Sequence, residues 1–529
     1  MAAIVNPILR GFNPDPSIVR AGADFYIATS TFEWFPGVQI HHSRDLVHWR
    51  LIGHILTRAE QLDLRGVPDS GGVWAPSLSY SDGQFWLVHT NVRTRASNFK
   101  DIGVYLSTAP EILGPWSAPV YLNGIGFDPS LFHDGDGRKW IVNLEWDFRK
   151  GRSRFGGIVI QEYDPVAQAL IGPVTKILDK QGILTEGPNL YRHGGWYYLM
   201  LAEGGTGWNH GISLARSRSL LGPYELDPQA SLLTTRDDPK QPLQKAGHGE
   251  LVQTPAGEWY LAHLASRPIT VNGERRCLLG RETCLQRIDW PEDGWPRLAH
   301  GGWHPQLELP APAGLAPSPW PALVERDDFD QSALDVNWST LRVPADETWL
   351  SLRERPGWLR LRGRDCQHSL FQQSLVARRL QSFHVIAETR LDFQPSHFTE
   401  MAGLICWYDT RTHYYLRVTH DERVGGRALG IVFTDDGVYD ERTDSQISIA
   451  DWPLVWMRAE IDNAALQFSA SPDGADWRNI GPVLDASKLS DDYGQGLHFT
   501  GAFIGLCAQD LGNARAAAYF DYFAFVNAR

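Results

Sequence analysis

Three acidic residues carry the chemistry this chain can be expected to do: Asp15 in Asn13-Pro14-Asp15-Pro16-Ser17, Asp128 in Phe127-Asp128-Pro129-Ser130, and Glu186 in Thr185-Glu186-Gly187-Pro188. A set of two aspartates and a glutamate can run the hydrolysis of a glycosidic bond. One carboxyl protonates the leaving oxygen, and a second activates water or attacks directly. That division of labour requires environments that keep one carboxyl protonated near neutral pH and another ionised. A third can raise the acid's pKa by like-charge repulsion and orient it. An aspartate before proline at a strand start is more often a turn or capping residue than a catalytic one. Two such motifs in register, with Glu186 one residue off it, favour catalysis. Glu186 has the longer reach and reads as the general acid. From the pattern alone, either Asp15 or Asp128 serves as the base.

The elements that must position these residues form a repeat. Asp15-Pro16-Ser17-Ile18, Ala75-Pro76-Ser77-Leu78, Asp128-Pro129-Ser130-Leu131, Gly187-Pro188-Asn189-Leu190 and Gly249-Glu250-Leu251-Val252 each precede a short turn and an aromatic strand. Examples are Trp196-Tyr197-Tyr198-Leu199 and Trp259-Tyr260-Leu261-Ala262. Strand, Gly-containing turn and aromatic strand make a β-hairpin. A period of about 50–60 residues is near that of propeller blades and leaves room for two more strands. The expected fold is therefore all-β, with a five-bladed β-propeller over 1–303. First strands of the blades line the channel, so equivalent positions converge on its mouth. Alignment on Pro16, Pro76, Pro129, Pro188 and Glu250 makes Asp15, Ala75, Asp128, Gly187 and Gly249 equivalent, with Pro14, Trp74, Phe127, Glu186 and His248 one residue earlier. Asp134-Gly135-Asp136-Gly137 lacks the later glutamate of a Ca²⁺ loop and reads as a hairpin turn.

Prolines crowd 304–324 (Pro305, Pro310, Pro312, Pro317, Pro319, Pro321), which predicts an extended linker. Alternating strands resume beyond it, as in Trp358-Leu359-Arg360-Leu361-Arg362 and Phe520-Asp521-Tyr522-Phe523, and predict a lectin-like β-sandwich over 325–529.

Composition excludes several classes. The net charge of −13 argues against nucleic acid or an anionic membrane as partner. No apolar run is long enough to span a bilayer. The five cysteines are scattered, with no Cys-x-x-Cys pair, and read as reduced thiols. The start Met1-Ala2-Ala3-Ile4-Val5-Asn6-Pro7 has neither a basic nor an apolar leader region, so a cytoplasmic location is expected. The 21 tryptophans chiefly fill the core, while a few can stack on sugar rings. No phosphate loop, zinc motif or Ser-His-Asp elbow is present.

The motifs Asn13-Pro14-Asp15-Pro16-Ser17, Val73-Trp74-Ala75-Pro76-Ser77, Phe127-Asp128-Pro129-Ser130-Leu131 and Thr185-Glu186-Gly187-Pro188 resemble the signature of family 43 glycoside hydrolases. The resemblance covers the whole chain and is nearest to the β-xylosidase subgroup with a C-terminal β-sandwich. It implies that Asp15 is the general base, Asp128 the pKa modulator and Glu186 the general acid of an inverting single displacement. The implied activity is exo-acting release of xylose from the non-reducing end of β-1,4-xylooligosaccharides. Phe32, Trp74, Phe127, Trp146, Thr206, His248 and Arg287 are implied to line the sugar pocket. Phe503 is the candidate aromatic from the sandwich. Homo-oligomers, dimers or tetramers, are common among such relatives. No cofactor is required; some members hold Ca²⁺ beneath a histidine, which His248 permits. The competing readings are an α-L-arabinofuranosidase or dual enzyme, a retaining fructosidase-type propeller, and a non-catalytic carbohydrate-binding propeller. Phe127 before Asp128 and Gly187 after Glu186 count against the fructosidase type.

Overall fold

The computed structural model describes residues 3–95 and 97–527. Apart from three single-turn 3₁₀ segments, regular structure among these residues is entirely β. Five antiparallel blades follow one another in sequence, four of them four-stranded and the fourth blade five-stranded. Their first strands are, or begin at, Ser17–Ala21, Gly72–Ser81, Ser130–His133, Thr185–His193 and Gln244–Gln253. Blade order equals chain order because each blade is a meander of hairpins, the connection that short Gly-containing turns allow. Apolar residues of facing blades interlock between sheets; Leu78 and Leu87 of the second blade pack with Ile40 and Ile55 of the first.

Each blade enters the channel through the same irregularity. Asp15, Ala75, Asp128, Gly187 and His248 all have positive φ, at 53°, 32°, 52°, 56° and 38°. In the second, fourth and fifth blades the ladder shifts register at this point, as a β-bulge does. A left-handed residue in a bulge re-aims its side chain out of the pleat, here toward the mouth. Four of the five are not glycine, so local strain is held at the position the site uses. The bulge corrects the expected alignment of the fifth blade. His248, not Gly249, is in register with Asp15, and Gly247 takes the place of Glu186. Glu250 takes the place of Ser17, Ser77, Ser130 and Asn189, and it closes the ring by accepting hydrogen bonds from Ser17 Oγ at 2.5 Å and Ile18 N at 2.8 Å.

The segment after the fifth blade is extended, as its prolines predict, but it is tied down. Glu308–Pro310 pairs with Ala3–Val5, Ser318 N donates to Asp45 at 2.7 Å, and the Trp320 indole donates to the His42 carbonyl at 3.2 Å. Beyond it, an eight-stranded and a nine-stranded antiparallel sheet enclose an apolar core that includes Leu404, Met457, Phe468 and Phe520. The nine-stranded sheet ends on Trp34–Phe35, a strand lent by the propeller to Ser339–Leu341. A second apolar cluster, with Phe12, Phe32, Trp34, Trp407 and Phe503, fills the seam between the two domains. The two domains therefore share a core and cannot be treated as beads on a linker. All five cysteines are free.

Candidate active site

The propeller mouth and a loop of the sandwich enclose a cavity of about 660 Å³, within the size range of small-ligand sites. Asp15, Asp128 and Glu186 all line it. Asp15 is the most constrained. Its Oδ1 accepts a hydrogen bond from Arg281 Nη1 at 2.7 Å, and its Oδ2 accepts one from Ser30 Oγ at 2.7 Å. The Ser30 hydroxyl in turn accepts from the Ala75 N–H at 2.7 Å, which links the first two blades behind the carboxylate. His248 Nδ1 lies 3.5 Å from Asp15 Oδ1.

Burial alone would push the Asp15 carboxyl up, but Arg281, His248 and Ser30 outweigh it and hold Asp15 below the usual carboxylate range. Glu186 is affected in the opposite sense. Burial, with the negative charge of Asp15 nearby, pushes it up to about 7, against a smaller opposing pull from Arg281. Asp128 is also driven well above its ordinary value, first by burial, then by Glu186 and Asp15, although the Gly187 N–H favours its charged form. The mouth thus carries its negative charge on Asp15 and keeps protons on the Asp128–Glu186 pair. Burial keeps the His248 imidazole neutral, with Arg281 acting in the same sense. Gly187 is required where it stands: its φ is +56°, and a Cβ there would meet His248 Nε2 at 2.9 Å.

An aromatic wall faces the carboxyls. Phe32, Trp74, Phe127 and Trp146 run in a chain of tilted and edge-to-face contacts, with ring centroids 6.1, 5.5 and 5.6 Å apart. Trp74 is fixed by its indole N–H to the Ser70 carbonyl at 3.0 Å. Thr206, in the glycine-rich turn Gly204-Gly205-Thr206-Gly207, lines the same cavity as His248. Six of the eight pocket residues named from sequence therefore meet at the mouth.

The other two do not. Arg287 is near the far end of its strand, half exposed, and faces Glu258 at 3.5 Å. The arginine that enters the site is Arg281, just before that strand begins, and six residues of strand span roughly 20 Å. Phe503 is fully buried in the seam and stacks on Trp34 at 3.9 Å. Strand alternation sets this. Phe503 and Cys507 face the propeller cluster, whereas Ile504 and Leu506 face the sandwich core. The sandwich aromatic that reaches the cavity is Phe499, 5.5 Å from Trp74 and 6.0 Å from Phe32 between centroids. Its carbonyl accepts from Arg281 Nη2 at 3.0 Å and its N–H donates to Ser70 Oγ at 3.1 Å. Arg95 also donates to the Leu497 carbonyl of the same loop. Arg281 and Phe499 gave little signal in sequence, because neither falls on the blade repeat.

The donor set around His248 fits a calcium ion poorly. A hard cation seeks six to eight oxygens, whereas both Asp15 oxygens are engaged by Arg281 and Ser30. Among the described residues, Cys277, Asp491 and Asp492 form the one group of three with metal-ligand spacing. The ammonium of Lys245 fills that role, 2.6 Å from Asp492 and 3.4 Å from Asp491.

Comparison with known proteins covers nearly the whole chain. Residues 4–296 match the model of glycosyl hydrolases family 43, and residues 326–526 match that of the beta xylosidase C-terminal concanavalin A-like domain. A xylan beta-1,4-xylosidase from Bacillus halodurans C-125 superposes with a TM-score of 0.96 at 52% identity, covering 99% of both chains. A xylan 1,3-beta-xylosidase of a Vibrio species is 46% identical over 99% of both chains. A xylosidase/arabinosidase 43B of Humicola insolens is also 46% identical, over 99% of this chain and 98% of its own.

Proposed function

The chain belongs to glycosyl hydrolase family 43, and from that premise we propose that it is an exo-acting, inverting β-D-xylosidase that releases xylose from the non-reducing end of β-1,4-xylooligosaccharides. The observation that carries this reading is the opposed protonation of two buried carboxyls in one cavity, with Asp15 held down and Glu186 raised to about 7. Asp15 takes a proton from water as that water attacks the anomeric carbon. Glu186 delivers its proton to the departing glycosidic oxygen. Asp128, beside Glu186, keeps the acid protonated and oriented. Arg281 keeps Asp15 ionised and at the same time holds the Phe499 loop. That loop closes one side of the cavity, which supports action at a chain end. Phe32, Trp74, Phe127, Trp146, Thr206 and His248 contact the terminal sugar.

The related xylosidase/arabinosidase supports a second reading, a dual enzyme that also accepts α-L-arabinofuranosides. Assays with p-nitrophenyl β-xyloside and p-nitrophenyl α-L-arabinofuranoside, and with β-1,4- and β-1,3-linked xylobiose, separate the readings. A kcat/KM at least tenfold higher on the xyloside and on the 1,4-linked disaccharide is expected. Equal or better turnover of the arabinofuranoside rejects the xylosidase reading. Chelator in the same assay is expected to leave turnover unchanged.

The proposal includes a cytoplasmic location, supported by five unpaired cysteines in a reducing-type pattern. It also includes a homo-oligomer and the division of the chain into 1–303, 304–324 and 325–529. Among the described residues, no helix is long and apolar enough to cross a membrane.

A further inference from the structure

A second cavity, of about 460 Å³, opens on the seam between propeller and sandwich and has no lining residue in common with the first. Four arginines line it: Arg10 from the N-terminal segment, Arg50 from the first blade, and Arg378 and Arg379 from the sandwich. No aspartate or glutamate is among its described lining residues. This departs from how the same seam treats its other buried arginines. Arg281 has Asp15 at 2.7 Å and Arg342 has Asp69 at 2.7 Å.

Arg379 is only 7% exposed, yet its guanidinium meets neutral acceptors alone: the Phe12 carbonyl at 3.1 Å, Ser339 Oγ at 3.4 Å and the Gln39 side-chain oxygen. Burial pushes it down to about 9, with no carboxylate acting against that. Arg378 is acted on by Asp335 and Asp327, but neither of them lines the cavity. The rings of Phe12, Phe503 and Phe525 lie 5.3–5.8 Å from these two guanidiniums and offset part of the cost. A guanidinium does not shed its proton, so a buried unpaired one needs a counter-charge. His41, 93% buried in the same wall, has a ring Nδ1 with no partner. At the outer lip, Arg50 lies over the ring of the exposed Trp320 at 5.7 Å.

The geometry points to an oxyanion-binding site at this seam, for a phosphate or a sugar carboxylate held by the Arg10–Arg50–Arg378–Arg379 cluster. Planar forks of N–H donors match both kinds of anion in bidentate fashion. The volume exceeds what one small ion needs, and Trp320 and Trp49 in the lining offer faces for a pyranose ring. In a chain of net charge −13, such an unpaired basic cavity is not a by-product of composition.

The test is calorimetric titration of the full-length protein with inorganic phosphate and, separately, with D-glucuronate, against chloride at matched ionic strength and with saturating xylose present. Either oxyanion is expected to bind more tightly than chloride. Arg378→Gln and Arg10→Gln should each weaken that binding by about tenfold or more, the usual effect of losing one charge-assisted hydrogen bond. Hydrolysis of aryl xyloside by the same variants should be unchanged, which also shows that they fold; Arg50→Gln, at the solvent lip, is the variant to use if either does not. Tighter phosphate assigns the site to an inorganic or phosphorylated ligand, and tighter glucuronate assigns it to an acidic sugar. No preference over chloride, or binding that survives these substitutions, overturns the inference. The titration reads binding alone, so it fails or succeeds independently of the xylosidase reading.

Discussion

At the scale of single residues, one guanidinium ties the base to the sandwich loop. Arg281 is 2% exposed at its side chain and donates both to Asp15 and to the sandwich loop. It holds Asp15 ionised, while burial keeps a proton on the Asp128–Glu186 pair. The pH dependence follows with a definite sign. The base must be charged, and Asp15 is held below the ordinary aspartate range, so activity should persist on the acid side down to that range. The acid must be protonated, so kcat/KM should fall as pH rises through about 7. Removing the neighbouring carboxyl with Asp128→Asn should move that alkaline limb down by about one unit, because the pair no longer shares a proton. An unmoved limb would take the modulating role away from Asp128. Glu186→Gln should cost about 10²–10⁴ in kcat on xylobiose and much less on aryl xylosides with good leaving groups. Equal losses on both would remove it from the acid role.

At the scale of elements, the blade bulge decides which residues reach the mouth. The three carboxyls were legible in sequence because each falls at or beside a left-handed residue that repeats with the Pro-containing motif. The register of the fifth blade was not legible. Its motif has no proline, and alignment on Glu250 displaced His248 by one position. The reach of the sandwich was half legible. The sequence around Gly501-Ala502-Phe503 shows an aromatic near a strand start, but it does not tell which of Phe499 and Phe503 lies beyond the strand. Strand alternation then commits Phe503 to the seam. The two phenylalanines should therefore respond differently. Phe499→Ala should raise KM with little change in melting temperature. Phe503→Ala, which empties a fully buried site stacked on Trp34, should cost about 3–5 kcal/mol of stability. Denaturant unfolding and xyloside kinetics on both variants check this. Reversed outcomes would return Phe503 to the pocket.

At the scale of the molecule, propeller and sandwich are one functional unit. Trp34–Phe35 completes a sandwich sheet, and Phe12, Phe32 and Trp34 lie in a core made jointly with Leu375, Trp407 and Phe503. The Pro-rich composition of 304–324 indicates an extended chain, but composition cannot show that this chain is pinned to the propeller, nor that a strand is exchanged across the boundary. Those are contacts between residues about 300 positions apart. A chain ended at residue 303 should thus expose the seam, lose Phe499 and be aggregation-prone and inactive. Co-expression of 325–529 should recover soluble, active protein. Full activity from the propeller alone would contradict the shared site.

The central claim is that Asp15 activates a water that displaces the leaving group directly, while Glu186 protonates it. Proton NMR of the first-formed sugar from a β-linked xyloside, recorded before mutarotation, tests it most directly. The account predicts α-xylose as the initial product. Initial release of β-xylose would mean a covalent intermediate and two displacements, and would contradict the roles given to both residues.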